Sequence, residues 1–182
     1  RDVVLPVRVL KTLGARSVIV TNAAGSVNES FNAGDIMLIK NHISLFCPNP
    51  LIGANIDELG ERFPDMTYPY DKEYIGIAKE RAKRAGIELK EGVYCYVTGP
   101  SYESAADIKA VRALGADCVG MSTVPEVIAA RHAGMRVCGF SCIANKGAGI
   151  TENKLSHDDV VDIFNNIKHN VYALIDGVIE DI

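Results

Sequence analysis

The stretch that most restricts how this chain can fold is Val119-Gly-Met-Ser-Thr-Val-Pro-Glu-Val-Ile-Ala-Ala-Arg131. Cys118 and Val119 close a short apolar run, Gly120 lets the backbone approach a neighbour closely, and an apolar helical segment follows. Thr123 and Glu126 have capping-box spacing, with Pro125 in the first helical turn. The pattern predicts a strand, a tight turn and a helix in immediate succession, with Glu126 accounted for by its cap. Free amides at a helix start attract anions. Met121 and Ser122 are therefore expected to face a ligand at the carboxyl end of a strand, where open α/β sheets place their sites.

The same arrangement recurs along the chain. Ser17-Val-Ile-Val-Thr21 reads as a strand buried on both faces and runs straight into the small-residue turn Asn22-Ala-Ala-Gly-Ser26. Such a turn serves loop geometry, or it lets backbone amides touch a ligand such as phosphate. Gly92 to Thr98 is a strand ending in Gly99-Pro-Ser-Tyr-Glu103, and Met135 to Asn145 is a strand followed by Lys146-Gly-Ala-Gly149. Glu103 is not needed for the next helix, because Ser104 and Asp107 supply that cap. An Asn before glycines is commonly turn chemistry. Several polar groups at strand ends are nevertheless what a site looks like.

The remaining segments supply the frame. Val3, Val7, Leu10 and Leu13 form a helical stripe that needs a sheet to cover, ended by Gly14. Ile36 to Ile39 is a strand, and His42 after it reads as structural. Phe46 to Met66 lacks periodicity and reads as a long functional or interface loop. Within it, Phe63 is either a local staple or a plug into a neighbouring subunit. Asp71 to Ala85 is a helix stopped by Gly86. The last helix starts at Ser156 as N-cap, and Val160, Phe164, Ile167, Val171, Leu174 and Val178 give it a strong apolar face. His157 falls in its first turn, where the helix end favours a neutral ring.

Composition narrows the function. A formal charge of −4 on 182 residues gives no electrostatic reason to expect nucleic acid or an anionic membrane as partner. With 48% hydrophobic residues, the expectation is one α/β domain over 1–182, without a membrane span or visible secretory leader. The five cysteines lack C-x-x-C spacing and read as reduced thiols of a cytoplasmic protein. No metal site is expected, because no His/Cys pair has ligand spacing.

The residues go further than these patterns. The chain resembles the trimeric, 6-oxopurine-specific purine nucleoside phosphorylases through Val20-Thr-Asn-Ala-Ala-Gly25, Gly34-Asp-Ile-Met-Leu-Ile39, Asn49-Pro-Leu51, Arg62-Phe-Pro64, Gly99-Pro-Ser-Tyr-Glu103, Val119 to His132, and Asn145 with its glycines. The resemblance implies a mostly parallel mixed sheet flanked by helices. It also implies phosphorolysis of inosine- or guanosine-type nucleosides, a homotrimer, and inorganic phosphate as co-substrate with no cofactor. Position by position, Glu103 would hold the N1–H edge of the base and Asn145 its N7 and O6. Tyr102 would stack near the base, Met121 would pack under the ribose, and His157 would meet the 5′-hydroxyl. Ala23, through its backbone, and Ser122 would bind phosphate. Phe63 would close the pocket of the adjacent subunit.

The family carries an N-terminal segment with a phosphate loop ahead of the point where this sequence starts. The expectation is that these residues alone phosphorolyse poorly, and that a sheet without its first strands exposes an edge. Ala144, and a short loop from Lys146 to Ser156, resemble bacterial members. Two other readings are a methylthioadenosine phosphorylase, for which an Asp is expected near the place of Asn145, and a non-catalytic purine-binding domain.

Overall fold

A computed structural model describes residues 2–150 and 157–182. A 3-10 turn at Asp2–Val4 leads into α1 (Leu5–Thr12), followed by β1 (Ser17–Ser26) and β2 (Ile36–Ile43). Then come α2 (Lys72–Ala85), β3 (Leu89–Tyr96), α3 (Ala105–Ala113), β4 (Cys118–Gly120) and α4 (Val124–His132). The chain continues through β5 (Arg136–Lys146) and α5 (His157–Glu180).

The sheet is mixed, with helices around it, and it closes into a ring in the order β1-β4-β3-β2-β5. β1 with β5, β2 with β3, and β3 with β4 are parallel; β1 with β4 and β2 with β5 are antiparallel. Each strand touches two neighbours, but over Ser17 to Ala24 β1 pairs with β5 alone among the described residues, so that stretch keeps the open edge the sequence leads one to expect. Register shifts between Ala24 and Gly25 and between Ile39 and Asn41 mark irregularities of the kind that bend strands and increase their twist. Closure through short antiparallel ladders is not legible in apolar strand runs, because those runs report burial and not pairing partner.

Three apolar clusters fasten the helices to this ring. α4 is apolar nearly all round and is buried with Met37, Tyr94 and Ile143. α2 and α5 pack over Leu38, Phe140 and Cys138. Ile167, Val171, Leu174 and Val178 are buried there, as the stripe on α5 predicts. α3 packs through Ile108 and Val111 on Cys95 and Val119. The stripe on α1 is a correction: only Val7 of the four residues is buried, while Val3, Leu10 and Leu13 are exposed. α1 packs mainly on α4, and of its stripe Val7 alone joins the buried cluster there.

Local chemistry fixes the helix ends. Asp71 caps α2 by accepting from the amides of Glu73 and Tyr74, and Gly86 ends it at φ 68°. Arg136, which opens β5, grips the same Asp71 carboxylate with two hydrogen bonds of 2.7 Å and stacks 4.0 Å over the Tyr74 ring. That paired guanidinium holds the Asp71 carboxyl below its ordinary pKa. Ser104 and Asp107 form the expected capping box on α3. The Ser156 cap lies outside the described residues. Residues 44–71 contain no helix or strand. Beside that loop, His42 meets the buried Tyr70 ring edge-on, its Nδ1 3.3 Å from the phenol oxygen.

Candidate active site

The chain turns sharply between β4 and α4, and the expected Thr123–Glu126 capping box is absent. Thr123 makes no side-chain cap; it sits at φ 75°, ψ −53°, and the Val124 amide donates to the Ser122 carbonyl at 2.8 Å. This is a three-residue γ-turn in its rare form. It is costly for a β-branched residue, on the order of 1–3 kcal/mol. The turn points Thr123 sideways, where its hydroxyl accepts from Asn22 Nδ2 at 2.9 Å and lies 3.1 Å from Ser122 Oγ. Glu126, freed of a capping role, keeps one carboxylate oxygen buried with no hydrogen-bond partner among the described residues. It lies within electrostatic reach of Tyr94 and Tyr96.

The small residues in these turns are there for clearance. A Cβ on Gly120 would stand 2.3 Å from the Tyr94 hydroxyl, which accepts from the Ser122 amide at 3.3 Å. Burial holds Tyr94 as a neutral phenol, well above its ordinary pKa. The ladder between β1 and β4 lasts only Gly25↔Val119 and Ser26↔Cys118. Before those pairs β1 runs with β5 alone, so its small residues stay free to face a cavity.

That cavity measures about 260 Å³. Ala23, Ala24 and Gly25 of β1 line it, with Tyr102 and Glu103 from the turn before α3. Val119 to Ser122, Ala144 and Asn145 of β5, and Val160 of α5 complete it. Six residues nominated from sequence, Ala23, Tyr102, Glu103, Met121, Ser122 and Asn145, thus share one space. Tyr102 and Glu103 also wall a neighbouring cavity of about 300 Å³ that reaches Phe46 and Asp107. Phe63 is elsewhere: it is 84% exposed beside Leu51 and Met66, which excludes a local staple. His157 opens α5, and its side chain lies outside the described residues.

The chemistry of the space is specific. Burial, chiefly, raises the Glu103 carboxyl above its ordinary pKa, with a smaller contribution from Asp107. Asn145 offers a donor and an acceptor, Ser122 a hydroxyl, and Met121 an apolar floor. No Lys or Arg is among the described residues that line the cavity. No group of His, Cys, Asp and Glu suited to a metal ion occurs among the described residues, and the five cysteines are free thiols. No described helix is long and apolar enough to cross a membrane. Sequence reasoning missed Asn22, Thr123, Tyr94 and Glu126. The small-residue turn pointed to the neighbourhood of Asn22, but nothing local signals the other three, which stand behind the lining residues and not among them.

Comparison with known proteins agrees with this architecture. The chain is 51% identical over 97% of its length to Purine nucleoside phosphorylase 1 of Bacillus subtilis, and spans 65% of that relative's length. It is 48% identical over 88% of its length to the mouse purine nucleoside phosphorylase, spanning 58% of it. The crystal structure of Schistosoma mansoni purine nucleoside phosphorylase in complex with adenosine superposes with a TM-score of 0.92 at 34% identity, covering 97% of this chain and 66% of that one. Residues 1–180 match the phosphorylase superfamily, and the chain belongs to that family.

Proposed function

We propose that this protein phosphorolyses 6-oxopurine nucleosides, converting nucleoside and inorganic phosphate to free purine and ribose 1-phosphate. The observation that carries the reading is the single cavity that Glu103 and Asn145 share with Ala23, Met121 and Ser122. In such a reaction positive charge develops on the ribose and negative charge on the departing purine. Catalysis then requires phosphate held against C1′ and hydrogen bonds offered to the base. Glu103 accepts from N1–H, and Asn145 donates to N7 while meeting the O6 edge. Tyr102 stacks near the base, Met121 supports the ribose, and His157 meets the 5′-hydroxyl. The Ala23 amide and the Ser122 hydroxyl bind phosphate. No cofactor is used.

Exposed Phe63 closes the cavity of an adjacent subunit, so the active form is a homotrimer, and its place is the cytoplasm. The names of the relatives support the reaction class. Adenine lacks N1–H in its usual tautomer, so Glu103 and Asn145 favour inosine and guanosine. The Schistosoma relative was solved with adenosine bound; the discrimination proposed here is therefore in turnover. The test is release of hypoxanthine from inosine by the native-length protein with and without phosphate. Release that requires phosphate supports the reading. Purine binding without release would favour a non-catalytic purine-binding role and overturn it.

A further inference from the structure

The Ser122 hydroxyl carries a proton whose direction the fold decides. Asn22 Nδ2 donates to Thr123 Oγ1 at 2.9 Å, and Thr123 Oγ1 lies 3.1 Å from Ser122 Oγ. An amide nitrogen gives hydrogen bonds and does not accept them. Thr123 therefore accepts from Asn22; it is buried, and among the described residues Ser122 Oγ is the one group placed to take its own proton. Ser122 in turn accepts from Thr123, which leaves its proton for the cavity it lines. We propose that Asn22 and Thr123 are positioning residues that make Ser122 a hydrogen-bond donor toward an oxyanion. On the phosphorolysis reading, on which this inference rests, that oxyanion is inorganic phosphate.

The strained turn supports the relay. Thr123 is the only non-glycine residue at positive φ among the described residues, and the turn that requires this is what sends its hydroxyl between Asn22 and Ser122. The order rests on the Asn22 amide presenting its nitrogen to Thr123. Turning that amide over would reverse the chain: Thr123 would give to Asn22, Ser122 would give to Thr123, and only lone pairs would face the ligand.

The experiment measures phosphorolysis of inosine by the native-length protein, with phosphate and nucleoside varied separately, for Thr123→Val, Thr123→Ser and Asn22→Asp. Loss or reversal of the relay in T123V and N22D is expected to raise the KM for phosphate at least about ten-fold, with the KM for inosine within roughly two-fold. T123S, which keeps the hydroxyl, should return the phosphate KM to near its starting value. Thr123→Gly suits the positive φ and lacks the hydroxyl, so it gives a folded variant without the relay should T123V misfold. An unchanged phosphate KM in T123V or T123G overturns the inference, as does an equal rise in both KM values. If the unaltered protein shows no phosphate-dependent base release, the phosphorolysis reading itself falls. Titration calorimetry with inorganic phosphate then decides the relay. Weaker binding by T123V than by T123S supports it, and equal binding, or none by the unaltered protein, overturns it.

Discussion

Gly25 stands opposite Asn145 on the paired strands β1 and β5, and a Cβ on Gly25 would lie 3.0 Å from the Asn145 carboxamide oxygen. The absence of a side chain on one strand is thus what lets the amide on the other take its place at the cavity wall. Gly25→Ala should push the Asn145 amide aside while leaving the core intact, since Gly25 does not sit at positive φ. Inosine kcat/KM is expected to fall at least roughly ten-fold, with stability changed by no more than about 1 kcal/mol. Steady-state kinetics and a thermal melt on one preparation separate the two effects.

Glu103 is a half-buried carboxylate whose pKa is raised mainly by desolvation. A raised acid means that the folded state holds its proton to higher pH than the unfolded chain, so ionisation of Glu103 disfavours folding above the ordinary Glu range. Glu103→Gln should therefore melt at or above the temperature of the unaltered protein at pH 7. Because it removes the acceptor for N1–H, turnover of inosine should fall by about a hundred-fold or more. The unaltered protein should lose nucleoside affinity on the acid side at a higher pH than an ordinary glutamate would dictate. An E103Q variant with near-normal inosine turnover would remove Glu103 from the mechanism.

Asn145→Asp replaces a donor at the 6-oxo edge by an acceptor, which matches a 6-amino group. The ratio of adenosine to inosine turnover should rise by roughly ten-fold or more. Measuring both substrates on the same variant cancels any general loss of activity. A ratio that stays put would show that discrimination resides elsewhere.

His42 is held neutral by burial, its pKa lowered to about 4. The unfolded chain binds a proton near pH 6.5 that the folded chain refuses until about 4. This residue therefore adds nothing to the pH dependence above that window. Between the two values it removes stability as pH falls, at up to roughly 1.4 kcal/mol per pH unit. Melting temperatures from pH 7 to pH 4 should drop less steeply for His42→Gln than for the unaltered protein.

Much of the frame was legible because burial and capping are local signals. The apolar face of α5, the Asp71 and Gly86 ends of α2, and the Ser104–Asp107 box all appear where residue type and spacing place them. The Thr123–Glu126 spacing misled for an equally physical reason. Four residues fit a capping box only if the first is extended, and here the tight entry from β4 forces Thr123 into a γ-turn instead. The α1 stripe misled because an apolar face does not say what covers it.

By itself the sequence determined the strands, the helices and the small-residue turns at strand ends, since these follow from side-chain size, periodicity and backbone preference over a few residues. It also placed Glu103 and Asn145 at such ends. Only the tertiary structure decided that the sheet closes on itself, that the two residues share a wall with Ser122, and that Asn22 reaches Thr123 across the turn. Strand pairing and hydrogen-bond direction depend on groups far apart in the chain, and no short window of sequence contains both partners.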